Sequence, residues 1–157
     1  MADRERYKDQ AIAGVVDQVA AMVPSAHVMA GFRGSQGLSP TVNVMASAVV
    51  SLPFVVAAVV TGKWVLLLPA AGVMVLMVAL LMKVVNSARV VGETTSELIV
   101  FSAKRGELTE LGRFPTQLTV DPYWDKQWLK VALGGETIWV SRGAFGAVVE
   151  RLAAPVG

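Results

Sequence analysis

The side chains able to do acid–base or nucleophilic chemistry are few and scattered. His27 is the single histidine, set in an apolar stretch with no second histidine to complete a metal or triad pattern, so a structural or surface role is the expectation. Glu93 with Glu97, and Glu107 with Glu110, are spaced like carboxylate pairs, but both flank predicted turns and strand ends, where solvated faces are the simpler reading. No serine stands in a Gly-x-Ser-x-Gly turn, which argues against a hydrolase. The absence of cysteine removes thiolate nucleophiles, thiolate metal sites and disulfides. Gly31, Gly34 and Gly37 ahead of Pro40 are loosely spaced like a phosphate loop, yet no Gly-Lys-Ser/Thr follows. The expectation is a protein without enzymatic activity and without a metal or cofactor of its own; the apolar runs hold no histidine to ligate a haem.

The elements around these residues explain the scarcity. The 157 residues are 54% hydrophobic and only 17% charged, unusually apolar for one soluble domain. The excess is concentrated: no ionisable residue occurs from Gly34 to Gly62, and after Lys63 a second uncharged run extends from Trp64 to Met82. Each is long enough for a helix rising ~1.5 Å per residue to cross a hydrocarbon core of ~30 Å. Two spans are therefore predicted, Thr41–Val60 and Trp64–Val84, locked antiparallel by the Thr61-Gly62-Lys63 turn. One longer span with Lys63 inside would cost ~3 kcal/mol for the charge and overrun the bilayer.

Lys63 and Trp64 in the turn, with Lys83 and Arg89 after the second span, suit membrane-interface anchors whose stems lie in lipid and whose heads reach water. Arg33 before the first span and Lys83 and Arg89 after the second outweigh Lys63, so the positive-inside rule places both termini in the cytoplasm of a multi-pass plasma-membrane protein. The mixed-charge start, Asp3 to Asp9, is not a signal peptide, and the first span is expected to serve as its own insertion signal. A net charge of +2 with dispersed Lys and Arg gives no nucleic-acid surface.

Small residues mark candidate helix contacts: Ser47, Ser51 and Ala58 near one face of the first span, with a kink expected at Pro53, and Gly72 and Ala79 seven apart in the second. Neither span carries an acid that would suggest ion or proton transport. The segment Asp121-Pro-Tyr-Trp-Asp-Lys-Gln-Trp128 is the most distinctive polar stretch. Its Tyr123, Trp124 and Trp128 either cover an open end of the fold, dock a partner, or touch the lipid interface.

Outside the hairpin, residues 1–40 read as an amphipathic helix over Arg4–Val23 followed by a short strand at Ala26–Phe32 and a flexible glycine-rich lead into the membrane. Ile12, Val15, Val16, Val19, Met22 and Val23 form one helical face. The opposite side lacks the basic residues of a membrane-surface helix, so this face is expected to pack on protein. After Arg89 the pattern turns to strands at Glu97–Ala103, Leu108–Phe114, Gln117–Val120, Trp128–Leu133 and Thr137–Ser141. Turns are predicted at Lys104–Glu107 and Gly134-Gly135, and a closing helix at Arg142–Ala153.

Carried by Glu97-Leu-Ile-Val-Phe-Ser-Ala, Arg113-Phe-Pro and Glu136-Thr-Ile-Trp-Val-Ser-Arg ahead of a helix, the region Thr94–Ala154 resembles the bacterial pleckstrin-homology-like domains of small actinobacterial membrane proteins. Joined to the elements read above, this resemblance gives the expected membrane α+β fold: an N-terminal amphipathic helix, a two-helix transmembrane hairpin over 41–84, and a small antiparallel β domain over 94–154, like the pleckstrin-homology-like domains, closed by a C-terminal helix. It also implies that an upstream strand joins the sheet, making the hairpin an insertion in a domain built from both flanks. The chain is similar, too, to two-span accessory subunits of the actinobacterial cytochrome bcc–aa3 supercomplex. Its expected partners are therefore the lipid bilayer and the subunits of a membrane protein complex that it would stabilise or bridge. The competing expectation is an independent membrane-anchored module that binds a lipid headgroup, a peptide or a signalling protein.

Overall fold

A computed structural model of the chain describes residues 2–84 and 86–154, with side chains described for 5–80 and 86–154. Two compact units result: Met1–Gly37 joins Ser87–Gly157 in one, and Leu38–Asn86 forms the other.

The first unit is α+β. Helix α1 (Ala2–Met22) precedes β1 (Ala30–Gln36); beyond the second unit follow β2 (Ser87–Glu93), β3 (Leu98–Lys104), β4 (Glu107–Phe114), β5 (Thr119–Asp121), β6 (Trp128–Leu133), β7 (Glu136–Ser141) and α4 (Arg142–Ala153). The seven strands form one open sheet in the order β4-β3-β2-β1-β7-β6-β5, and every pairing is antiparallel. Strand β1 is the keystone: it pairs with β2 along its whole length and with β7 through Gly34, Ser35 and Gln36. The sheet is thus continuous only because sequence on both sides of residues 38–86 meets at β1. The β6–β7 hairpin turns on Gly134 (φ 60°) and Gly135 (φ 81°), a pair of left-handed positions whose twist matches the flanking strands.

Alternation along the strands puts Phe32, Val91, Val100, Val131, Ile138 and Val140 in one buried set. Helix α4 adds Phe145, Val148, Val149 and Leu152 to the same core, the i, i+3, i+4, i+7 spacing of one helical face. Polar contacts tie α4 down: the Arg142 N–H donates to the Gln127 carbonyl at 3.0 Å and the Leu118 N–H to the Leu152 carbonyl at 3.2 Å, and Arg151 pairs with the buried Glu93 of β2. On β1 and β2, Gly31 and Gly92 are directly opposite each other. They make a saddle for α1: a Cβ at Gly31 would lie 2.6 Å from Val15 Cγ1, and one at Gly92 2.5 Å from Val19 Cγ1. The apolar face expected on α1 is therefore seated on protein, with Val15, Val19 and Val23 buried.

Several sequence expectations change here. The first strand runs Ala30–Gln36 rather than Ala26–Phe32, so the glycine-rich stretch expected to be a flexible lead is sheet. His27 consequently lies before the strand and is exposed. Strand β2, Ser87–Glu93, forms where the sequence reading assigns no element. The β unit accordingly draws on residues well outside 94–154.

The second unit is a helical hairpin of α2 (Pro40–Thr61), a 3₁₀ turn (Trp64–Leu66) and α3 (Leu67–Val84), with α2 packed along α3. Ser39 caps α2, its Oγ accepting from the Val42 N–H at 3.1 Å, and Pro40 occupies the first turn, where no N–H is needed. Gly62 (φ 69°) ends the helix in the left-handed region. Among the described residues, Pro40–Thr61 is the one helix long and apolar enough to cross a membrane, whereas the apolar run Trp64–Leu80 is shorter. Among the described residues the expected pair of spans thus stands as an apolar hairpin with one helix of spanning length.

Candidate functional site

The hairpin is inside-out for a protein in water. The buried positions of α2 are Pro40, Asn43, Ser47, Ser51 and Ala58, so Asn43 and both serines of the helix fall on the concealed side. Meanwhile Val44, Val49, Leu52, Val56, Val59 and Val60 are exposed, and only 17% of the helix's most apolar stretch is buried. The hydroxyls are satisfied within the helix: Ser47 Oγ donates to the Asn43 carbonyl at 2.8 Å and Ser51 Oγ to that of Ala48 at 2.9 Å. Such back-bonding lets serine sit in a helix without needing water. Ser39, Asn43, Ser47 and Ser51 recur every fourth residue, a period legible in the sequence, although only its last two members drew attention there.

The expected contact residues separate. Ser47, Ser51 and Ala58 are buried, while Gly72 and Ala79 are exposed, and a Cβ added at Gly72 would meet nothing within 4 Å. These two small residues are therefore not consumed by packing of α3 on α2. Lys63 and Trp64 are exposed at the turn; Lys83 lies outside the residues whose side chains are described.

Arg89 requires correction as a membrane-interface anchor. Its side chain is only 8% exposed and pairs with Glu136 at 3.0 Å. The same guanidinium donates to Ser102 Oγ at 3.4 Å and to Gln36 Oε1. Strands β2, β3, β1 and β7 supply these four groups, so the charge is spent inside the sheet and cannot snorkel. Asp121 likewise ties Lys130 across β5 and β6 at 2.8 Å.

The aromatic segment is split between cover and surface. Tyr123 stands edge-on to Trp139 with ring centroids 4.7 Å apart, and Trp139 Nε1 donates to the Gly37 carbonyl at 2.9 Å. Trp128 is half-buried. Trp124 remains 64% exposed and stacks obliquely on Tyr123 at 5.4 Å. Tyr123 thus covers the fold, and Trp124 is the ring left for an external contact.

The carboxylate pairs suggested by spacing are divided by the fold. Glu93 goes to Arg151, while Glu97 and Glu110 share Arg113, each at 2.8 Å. The hydrogen bond from Arg113 holds the Glu110 carboxyl below its ordinary range, with burial opposing and the arginine charge assisting. Because the folded pKa is the lower one, this pair favours folding above the ordinary glutamate range, and the contribution fades as pH falls through the folded value. A carbon-detected titration should place the Glu110 midpoint below that of an ordinary glutamate, and Arg113→Gln should return it upward; an unchanged midpoint would break the assignment.

Among the described residues no group of three or more His, Asp or Glu could hold a metal ion. One further feature had no sequence signal. Tyr7, Gln10, Gly14 and Gln18 of α1, Arg33 of β1 and Phe145 of α4 border a groove of about 370 Å³, brought together from three elements far apart in the chain. No protein-family model matches the chain, and neither curated proteins nor solved structures provide a match.

Proposed function

We propose that residues 38–86 embed in a lipid bilayer as a hairpin and that the chain is a non-catalytic accessory subunit, holding together parts of a larger membrane protein complex. The observation that carries the membrane reading is the inverted hairpin: serines and an asparagine concealed, valines and leucines displayed. In water that distribution exposes a continuous apolar surface without recompense; in hydrocarbon it is the favourable one. Helix α2 spans the core, and α3, extended by the 3₁₀ turn, returns across it beside α2. The seven-stranded antiparallel sheet with its upstream strand and closing helix supports the pleckstrin-homology-like reading of the other unit. The positive-inside balance supports a cytoplasmic location for that unit.

An accessory role is supported by what the hairpin leaves unused. Gly72 and Ala79 face outward, where small residues permit close approach of another helix, and Trp124 offers an exposed ring on the β unit. Extraction from native membranes in mild detergent, followed by native gel electrophoresis and mass spectrometry, tests the role. The chain should migrate with larger membrane subunits; migration alone would overturn the proposal in favour of an independent anchored module.

A further inference from the structure

The groove bordered by α1, β1 and α4 has the chemistry of a small-molecule site. Its volume, about 370 Å³, lies within the range that holds small ligands. Arg33 Nη2 donates to Gln18 Oε1 at 2.6 Å. A neutral amide thus orients the guanidinium without cancelling its charge, and among the described residues no carboxylate forms an ion pair with Arg33. The remaining N–H groups of the fork are suited to a carboxylate. Tyr7 and Gln10 add polar groups at the rim, while Ala11 and Phe145 supply an apolar wall.

Gly14 lines the same groove from α1. Glycine in the interior of a helix weakens it relative to alanine, so its presence normally answers a close approach, as at Gly31 and Gly92. At Gly14 an added Cβ would meet nothing within 4 Å. Packing does not require the glycine there. Gly14 is exposed, and its missing side chain leaves the groove open on the α1 side.

The geometry points to a binding site for a small free monocarboxylic acid with a short apolar tail, its carboxylate on the Arg33 guanidinium and its tail along Ala11 and Phe145. The full chain in lipid nanodiscs, titrated with 4-methylpentanoate and observed by ligand-detected NMR, should show saturable binding. The uncharged 4-methylpentanamide should bind at least tenfold more weakly. Arg33→Gln should weaken the acid by a similar factor, Arg33→Lys by less, and Gly14→Leu should block the groove while keeping the helical signal and thermal midpoint of the parent. Equal binding of acid and amide, indifference to Arg33→Gln, or no saturable binding would overturn the assignment. Tighter binding of the acetylated tripeptide Ala-Ala-Leu than of the acid would also overturn it, since the site would then read a peptide terminus.

Discussion

Replacing Gly92 by alanine is expected to cost the sheet-bearing unit about 3 kcal/mol, at the upper end for overpacking a close contact. The new Cβ would lie 2.5 Å from Val19 Cγ1 and 3.1 Å from both Val19 Cβ and Cγ2. A valine in a helix has little rotamer freedom with which to yield, so α1 itself must lift. Val19→Ala should be destabilising alone, by about 2 kcal/mol for the cavity it leaves, yet should relieve much of the Gly92→Ala penalty when the two are combined. Gly31→Ala should behave differently. Its Cβ would meet Val15 Cγ1 at 2.6 Å and also the Val91 carbonyl oxygen at 2.7 Å, so Val15→Ala cannot rescue it fully. Denaturant unfolding of the reconstituted chain, followed by the fluorescence of Trp128 and Trp139, measures all these variants. Additive costs for Gly92→Ala and Val19→Ala would contradict the saddle.

The second large effect belongs to Arg89. Glu136→Ala should cost about 2 kcal/mol, because it takes from the buried Arg89 guanidinium its charged hydrogen-bond partner, a carboxylate that is itself a third exposed. Gln36 and Ser102 would still accept hydrogen bonds from the guanidinium, which keeps the loss toward the low end of the range. Glu136→Gln retains the oxygen and should cost less. The double replacement Arg89→Met with Glu136→Leu removes both charges and should come close to the parent, since the desolvation of the buried arginine offsets much of the attraction it gains. A Glu136→Ala variant as stable as the parent would show that Arg89 reaches water.

The elements legible in the sequence are those whose signal is local. Strand β6 and helix α4 were expected over the residues they occupy, because an alternating run, a Gly-Gly turn and a 3.6-residue period lie within a few positions of one another. Strand β2 was not visible, although Arg89-Val-Val is strand-like. Its partners include Phe32, which sits opposite Val91 across the whole hairpin, and no local pattern reports a pairing at that separation. For the same reason Arg89 read as a membrane anchor: its position after an apolar run suggested the interface, whereas Glu136, its neutralising partner, is 47 residues away. The glycines of β1 are explained only by their contacts, Gly31 with Val15 of α1 and Gly34 with Ile138 and Val140 of β7. Glycine signals either looseness or close approach, and only the contact decides. Within the hairpin, Ser47, Ser51, Ala58, Gly72 and Ala79 were all legible as small, but which would be concealed and which displayed depended on how α2 and α3 face each other.

The membrane placement of the hairpin can be measured directly, because a chain without cysteine accepts single reporter thiols with no background. In intact cells treated with a membrane-impermeant maleimide, Lys63→Cys in the turn should be labelled. Lys104→Cys, exposed at the end of β3 in the sheet-bearing unit, should react only after the membrane is permeabilised. Recovery of the chain in the soluble fraction, or equal labelling of the two sites before permeabilisation, would contradict the account.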